Sequence, residues 1–206
     1  MNLLVVTAVD AERAAVRAAA PNVHVIVGGV GPATAAASTA AAIATGQVDL
    51  VLSAGIAGGF APTSIGSIAV ASACVFADLG VETDDGFVPV SSLGFGIERY
   101  DVSPRLAVEL ADVTGGHMGT VLTVATVTGT ASTAAALQLR HPDAIAEAME
   151  GAGIAAAATA QGIAFAEVRA ISNVVGPRRR DEWDVPGALD ALGRAIAAIA
   201  AREWSP

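Results

Sequence analysis

The chain alternates short, almost wholly apolar runs with longer alanine-rich stretches. Six apolar runs stand out, at residues 3–8, 23–27, 48–53, 67–76, 118–126 and 163–172. Their length and their lack of polar alternation predict strands that are buried on both faces. The alanine-rich stretches at residues 11–20, 32–45, 149–160 and 189–202 predict helices, with Asp10 as a cap and Pro32 in a first turn.

Strands that alternate with helices predict an α/β fold, a three-layer sandwich with a central, mostly parallel mixed sheet. The 206 residues contain no long linker and no break in composition, so we expect one domain over residues 1–206. Residues 78–112 carry turn signals such as Asp84-Asp85-Gly86 and predict no clear element.

Composition excludes several classes of partner. A net charge of -9 opposes binding to nucleic acid, and the first apolar run is too short for a membrane span and lacks the basic flank of a signal peptide. The single Cys74 and three widely separated histidines predict neither a disulfide nor a metal site, and no cofactor is expected. We therefore expect a cytoplasmic protein with a small-molecule partner.

Five turns follow predicted strands, at residues 8–12, 28–32, 53–59, 126–130 and 173–178. In open α/β sheets, ligands bind beyond the carboxyl ends of the strands. We therefore expect these turns to gather on one rim. The glycine-rich turn at residues 55–59 lacks the spacing of a dinucleotide loop and has no Walker lysine. It either brings backbone amides close to a ligand or makes a tight turn.

Three charged residues near this rim are candidates for chemistry. Glu150 interrupts an apolar helical run, and a carboxylate can accept hydrogen bonds from both hydroxyls of a ribose. Arg169 lies inside a buried strand and needs an anionic partner, for which Glu12 is a candidate. Glu12 is also a candidate general base for a water molecule. The alternative for both acids is a favourable position in the first turn of a helix.

Four segments together resemble the nucleoside phosphorylase and nucleosidase superfamily, in matching order: residues 7–12, Gly55-Ile56-Ala57-Gly58-Gly59, Met149-Glu150 and Arg169-Ala170-Ile171-Ser172-Asn173. The likeness covers nearly the whole chain. Within the superfamily, the chain is similar to the purine nucleosidases, such as methylthioadenosine/S-adenosylhomocysteine nucleosidase. The futalosine hydrolase branch is resembled most, through two further segments: Ser172-Asn173-Val174-Val175-Gly176-x-Arg178 with Trp183 downstream, and Thr126-Val127-Thr128-Gly129-Thr130.

The resemblance implies a role for each matching position. Glu12 would activate the attacking water, Met149 and Glu150 would hold the ribose hydroxyls, and Arg169 would order the network on the water side. The purine would be contacted by Thr128, Gly129, Thr130 and Asn173. Ala57 and Gly58 would also contact the substrate. Relatives of this kind also assemble as homo-oligomers.

Three departures from the adenine-releasing relatives bear on the substrate. Those relatives carry Asp at the position of Asn173, Ser at the position of Ile56 and Glu at the position of Ala148. An amide is not a practical proton donor, but its NH2 group can donate a hydrogen bond to a 6-oxo group. Asn173 therefore favours a 6-oxopurine nucleoside over an adenosine derivative.

The leading hypothesis is hydrolysis of futalosine to hypoxanthine and dehypoxanthine futalosine, a step of menaquinone biosynthesis by the futalosine pathway. The aryl carboxylate of futalosine would pair with Arg178 or Arg180, and its aromatic ring would pack on Trp183. The alternative is that residues 178–183, which also contain two acids, form a solvated loop. The alternatives are a methylthioadenosine/S-adenosylhomocysteine nucleosidase, a purine nucleoside phosphorylase, and a silent nucleoside-binding module. A silent module would have no need of Glu12, Glu150 and Arg169 together.

Overall fold

The computed structural model of the chain describes residues 2–202 and Trp204. The strands within these residues are β1 Leu3–Thr7, β2 His24–Val27, β3 Leu50–Gly59, β4 Ile68–Phe76, β5 Gly80–Thr83, β6 Gly86–Pro89, β7 Arg99–Asp101, β8 His117–Thr123, β9 Ala144–Ala148 and β10 Ala164–Val174. The α-helices are α1 Asp10–Ala19, α2 Pro32–Thr45, α3 Pro104–Thr114, α4 Ala131–Arg140, α5 Gly151–Ala160 and α6 Val185–Ala200. Short 3-10 turns occupy Val90–Leu93 and Arg180–Glu182.

The two faces of β1 show why the fold is layered. Leu4 and Val6 point to one face, where they pack in a cluster with residues of α2 and α5. Val5 points to the other face and packs in a cluster that includes Val16 of α1 and Leu192 of α6. Because both faces of the strand are apolar, helices must cover both. The helices on both faces of the sheet confirm the predicted three-layer α/β architecture.

The sheet is mixed, and one half of it closes on itself. Its parallel pairs are β1–β2, β1–β3, β3–β10, β4–β8 and β8–β9, and its antiparallel pairs are β4–β10, β3–β9 and β4–β7. Strand β3 therefore bonds to β1, to β10 and, at its last two residues, to β9. The ring β3–β10–β4–β8–β9 was not predicted from the sequence. It brings the ends of β9 and β10 to the two sides of β3.

Several predicted boundaries are wrong for identifiable reasons. β3 continues through the glycine-rich turn to Gly59, because β10 and β9 pair with it there. Helix α1 begins at Asp10 itself, with Val9 before it. Helix α5 begins only at Gly151, after Glu150. Helix α6 begins earlier than predicted, where the Asp184 side chain accepts a hydrogen bond from the Gly187 amide.

Some elements had no clear signal in the sequence. The segment between β4 and α3 forms the separate β5–β6 hairpin and the short strand β7. Strand β9 consists of Ala-Ile-Ala-Glu-Ala, whose alanines are typical of a helix, and it forms because β8 and β3 offer it partners on both sides. Among the described residues, no helix combines the length and apolar character needed to cross a membrane.

Candidate active site

All five predicted turns contribute to one cavity of about 310 Å³ at the carboxyl ends of β1, β3 and β10. The predicted rim is thereby confirmed. Its lining includes Ala8, Val9, Glu12, Val30, Ile56, Ala57, Gly58, Val127, Thr128, Glu147, Met149, Glu150, Ser172, Asn173, Arg178 and Trp183. A larger cavity of about 780 Å³ lies at the opposite ends of β1 and β2, and Arg202 is the one charged side chain among its described lining residues. The smaller cavity is the candidate site because it gathers the carboxylates.

Glu12 is held in place by backbone amides of two different elements. Its Oε2 accepts hydrogen bonds from the amides of Ala8 at 2.9 Å and Val9 at 3.2 Å. Its Oε1 accepts from the amide of Ile56 in β3 at 2.8 Å. The residue is buried, yet it lines the cavity. One lone pair of Oε1 remains available, so the carboxylate can accept a proton or a hydrogen bond from a bound molecule.

Gly55 lets Glu12 approach the strand so closely. A Cβ atom at this position would lie 2.5 Å from Glu12 Oε1 and 2.6 Å from Arg169 Nη1. Any larger residue would therefore displace both charged groups. The glycine-rich residues 55–59 are therefore part of strand β3, and the missing side chain at Gly55 leaves room for Glu12 and Arg169. They do not form a phosphate-binding loop, in agreement with their spacing.

Arg169 does not pair with Glu12, and this prediction was wrong. Its ion pairs are with Glu167, Nε to Oε1 at 2.8 Å, and with Glu150, Nη2 to Oε2 at 3.3 Å. Nη2 also donates to Ser53 Oγ at 3.1 Å. Glu167 pairs with Arg169 because it lies two residues away on the same face of β10.

Arg169 is buried behind the cavity lining and reaches the cavity through Glu150. Burial alone would lower its pKa, but the carboxylates of Glu167, Glu150 and Glu12 outweigh burial and raise the pKa above its ordinary value. It therefore stays a cation that positions its neighbours. Glu167 also accepts from the thiol of Cys74 at 3.0 Å; burial and this carboxylate raise the pKa of Cys74.

Glu150 stands at the junction between β9 and α5. Its Oε1 accepts from the amide of Gly31 at 3.2 Å, and its Oε2 accepts from the amide of Met149 at 3.3 Å and from Arg169. These contacts are longer than the usual 2.9–3.0 Å of an N–H···O bond. Oε1 has the greater spare capacity to accept a hydroxyl, and Met149 lines the cavity beside it.

Asn173 lies at the other end of the cavity. Its Nδ2 donates to the carbonyl of Val174 at 3.0 Å, and its Oδ1 accepts from Ser172 Oγ at 2.8 Å. These two partners determine which way the amide points, because a flipped amide would bring two oxygens together at Val174. The second N–H of Nδ2 is left to bind a molecule in the cavity.

The segment predicted to contact the purine divides in the structure. Thr128 lines the cavity, whereas Thr130 caps helix α4 by accepting from the amide of Thr133 at 3.1 Å. Gly129 lies against Arg178, whose Cδ would be 3.6 Å from a Cβ on the glycine. Thr128 is fixed by Glu147, which accepts from its amide at 2.9 Å and from its hydroxyl.

The arginines after β10 fall into distinct environments. Arg178 lines the cavity, and its guanidinium carbon lies 5.0 Å from the ring centroid of Trp183. Arg179 pairs with Glu182 at 3.3 Å on the exposed side. Arg180 is exposed and is not part of the lining. Of the two arginines predicted to hold a carboxylate, the structure thus brings only Arg178 to the cavity.

The charged and amide groups lie at two ends along β3. We call Glu12, Glu150 and Arg169 the arginine end, and Asn173, Thr128 and Glu147 the asparagine end. Gly55 is next to the first group and Gly58 is paired with members of the second. Three residues of a strand span roughly 10 Å. The two groups therefore lie against points of β3 that are separated by roughly the length of a nucleoside.

Comparison with known proteins agrees with this geometry. The family model described as "Phosphorylase superfamily" matches residues 10–202. A futalosine hydrolase of Streptomyces coelicolor is 49% identical, over 100% of this chain and 99% of the relative. The chain belongs to the phosphorylase superfamily, and within it to the futalosine hydrolase family. A futalosine hydrolase of Thermus thermophilus is 36% identical, over 85% of this chain and 80% of the relative.

Solved structures show the same fold. A methylthioadenosine/S-adenosylhomocysteine nucleosidase from Neisseria meningitidis, solved with methylthio-immucillin-A, has a TM-score of 0.82 at 19% identity and covers 96% of this chain and 97% of its own. The S-adenosylhomocysteine nucleosidase from Streptococcus pyogenes has a TM-score of 0.85 at 19% identity, covering 99% and 98%. At this identity the likeness establishes the fold alone.

Two buried carboxylates of the site were missed in the sequence as functional candidates. Glu167 lies two positions before Arg169, and a lone acid in a buried apolar strand is a signal as strong as the arginine itself. Glu147 precedes the helix predicted at residues 149–160 by two positions, and in the structure it lies in β9. Its position in the cavity depends on the pairing of β9 with β3, which the sequence pattern does not reveal.

Proposed function

We propose that this protein hydrolyses the N-glycosidic bond of futalosine and releases hypoxanthine and dehypoxanthine futalosine. The observation that carries the proposal is the separation of Glu12 from Asn173 along β3, with Glu150 lining the same cavity. A nucleoside fits with its ribose at the arginine end and its base at the asparagine end. The names of the sequence relatives support futalosine as the nucleoside.

In the proposed reaction, Glu12 Oε1 accepts a proton from a water molecule as the water oxygen bonds to C1′ of the ribose. The bond between C1′ and the purine nitrogen breaks, and its electron pair leaves with the base. Glu150 Oε1 accepts a hydrogen bond from a ribose hydroxyl and orients the sugar. The free N–H of Asn173 donates to the base, where negative charge accumulates during departure.

Phosphorolysis is disfavoured by the charges in the cavity. Glu12, Glu147 and Glu150 line it, whereas Arg178 is the only cationic side chain among the described lining residues. Arg169 is behind the lining and already paired with two carboxylates. An inorganic phosphate at the arginine end would meet two carboxylates and no free cation. A hydrolytic reaction, which brings in a neutral water molecule, fits this environment.

The aryl carboxylate of futalosine is assigned to Arg178 and Trp183. Arg178 has no ion pair among the described residues, and its guanidinium is over the Trp183 ring. A guanidinium fork suits a carboxylate, and an indole suits an aromatic ring. In the same proposal the enzyme works in the cytoplasm, assembles as a homo-oligomer and serves menaquinone biosynthesis.

Identification of the released base tests the proposal. The purified protein is incubated with futalosine, inosine, adenosine and methylthioadenosine in phosphate-free buffer, and the products are identified by mass spectrometry. We expect hypoxanthine from futalosine, with a free sugar product. Release that requires phosphate and gives a sugar 1-phosphate would instead assign a phosphorylase. Preferred cleavage of methylthioadenosine would assign an adenosine-type nucleosidase.

A further inference from the structure

Glu147 is a buried carboxylate in the cavity for which the proposed reaction has no role. It is 5% exposed and lines the cavity at the asparagine end. No lysine, arginine or histidine forms an ion pair with it among the described residues. Its two oxygens accept from the amide and the hydroxyl of Thr128. A carboxylate has about four acceptor sites, so two remain.

The pairing of the strands makes Glu147 the counterpart of Asn173. Glu147 in β9 and Asn173 in β10 both pair with Gly58 of β3, from opposite sides. Neighbouring strands lie about 4.8 Å apart, so the two backbones are roughly 10 Å apart. A Cβ on Gly58 would lie 3.3 Å from Asn173 Nδ2, which shows that the amide extends over the glycine. The two side chains therefore line the same part of the cavity from the two sides of Gly58.

The two side chains offer opposite hydrogen-bonding groups. Asn173 presents the second N–H of its Nδ2, because Ser172 and Val174 set the orientation of the amide and Val174 accepts from only one N–H. Glu147 presents an acceptor, because its Thr128 partners are both donors. The six-membered ring of a 6-oxopurine carries an acceptor, O6, next to a donor, N1–H. A 6-aminopurine carries the reverse, a donor on N6 next to an acceptor at N1.

We propose that Glu147 is a specificity-determining residue that accepts a hydrogen bond from N1–H of a 6-oxopurine while Asn173 donates to O6. The inference rests on the proposed purine nucleosidase function and names the part of the base that the site reads. An adenine in the same place would direct its N6 amino group at the Asn173 N–H and its N1 lone pair at the carboxylate. Both positions would then be mismatched.

The environment of Glu147 is consistent with this role. Burial raises the pKa of Glu147, whereas the hydroxyl and the amide of Thr128 oppose that rise and the nearby Asp78 adds to it. A hydrogen-bond donor on a bound base would therefore stabilise the buried charge of the Glu147 carboxylate. A hydrogen bond to a charged group contributes about 1.5–3 kcal/mol, which corresponds to an affinity ratio of roughly 10- to 150-fold.

Binding of free bases tests the inference without requiring hydrolysis. Dissociation constants of hypoxanthine and 1-methylhypoxanthine, which lacks N1–H, are measured by calorimetry for the wild type and for Glu147→Gln. We expect the variant to bind hypoxanthine on the order of tenfold more weakly, and to change the affinity for 1-methylhypoxanthine less than twofold. Glu82→Gln, which removes an exposed carboxylate of β5, is the matched control and should change neither affinity.

An equal loss of both affinities in Glu147→Gln would overturn the inference and leave Glu147 as an anchor for Thr128 alone. A second measurement needs no variant: hypoxanthine labelled with 15N and bound to the wild type should show its N1–H proton close to the Glu147 side chain by NMR. Absence of that proximity in the bound complex also overturns it. If the base discrimination follows Glu147 but futalosine is not cleaved, the proposed function fails and the inference stands.

Discussion

The two ends of the cavity are built by different means. At the arginine end, Arg169 is held by ion pairs with Glu150 and with the neighbouring Glu167, and Glu12 is fixed separately by backbone amides. At the asparagine end, Glu147 accepts two hydrogen bonds from Thr128, and the Asn173 amide bonds to the Ser172 hydroxyl and the Val174 carbonyl. No ion pair of the described residues involves these groups. A fixed charge network suits a step that does not depend on the identity of the base. A set of directional hydrogen bonds suits the choice of base.

This difference predicts what substitutions at each end will change. Changes at the arginine end should affect turnover and stability whatever the base. Changes at the asparagine end should alter the ratio between substrates and leave the protein stable.

The largest effect is expected for Glu12→Gln, which keeps the shape of the side chain but removes its ability to accept a proton. Loss of a positioned general base costs about 10²- to 10⁴-fold in rate. Steady-state kcat should fall by this amount on futalosine and inosine alike, with little change in substrate affinity. Asp10→Asn, an exposed change in the same helical turn, is the control. Near-normal turnover of Glu12→Gln would remove Glu12 from the mechanism.

Arg169→Met should destabilise the whole protein. The substitution leaves Glu150 and Glu167 buried without their cation, and breaking a buried pair in this way costs about 3–5 kcal/mol. The free energy of unfolding is measured in urea. Arg99→Met is the control, because its ion pair with Asp101 is half exposed and should contribute no more than about 1 kcal/mol. Similar losses for the two variants would show that the network carries no special stability.

The sequence revealed the arginine end better than the asparagine end for a physical reason. Glu150 and Arg169 stand out because charges inside apolar runs demand compensation, and this demand is visible without any structure. The predicted partner of Arg169, Glu12, was wrong. The pairing with Glu150 and Glu167 depends on the direction of the side chains along β10, which the sequence does not show. Glu147 could not be placed, because its position depends on closure of the sheet between β9 and β3. Local patterns do not encode that long-range pairing.

Asn173→Asp should change base choice rather than stability. The new carboxyl would bring an oxygen to the Val174 carbonyl that Nδ2 now contacts, and protonation would relieve that contact. A proton donor at this position favours a 6-aminopurine with an available ring nitrogen. In competition between inosine and adenosine, we expect the ratio of kcat/KM to fall by on the order of 10- to 100-fold. Asn22→Asp, at an exposed position, should leave the ratio unchanged, and an unchanged ratio in Asn173→Asp would mean that Asn173 does not read the base.

The smallest effect is expected for Arg178→Ala, which tests whether the cavity extends beyond the nucleoside. If Arg178 holds the aryl carboxylate of futalosine, the variant should raise KM for futalosine by roughly tenfold, the loss of one charge-assisted hydrogen bond. Inosine has no such group, so its KM should remain the same. Arg179→Ala is a close control, because Arg179 is the next residue and is already paired with Glu182 on the exposed side. Equal losses on both substrates would be explained by the contact of Arg178 with Gly129, which would then assign the arginine to the purine side. No loss on either substrate would leave Arg178 with its Trp183 contact alone.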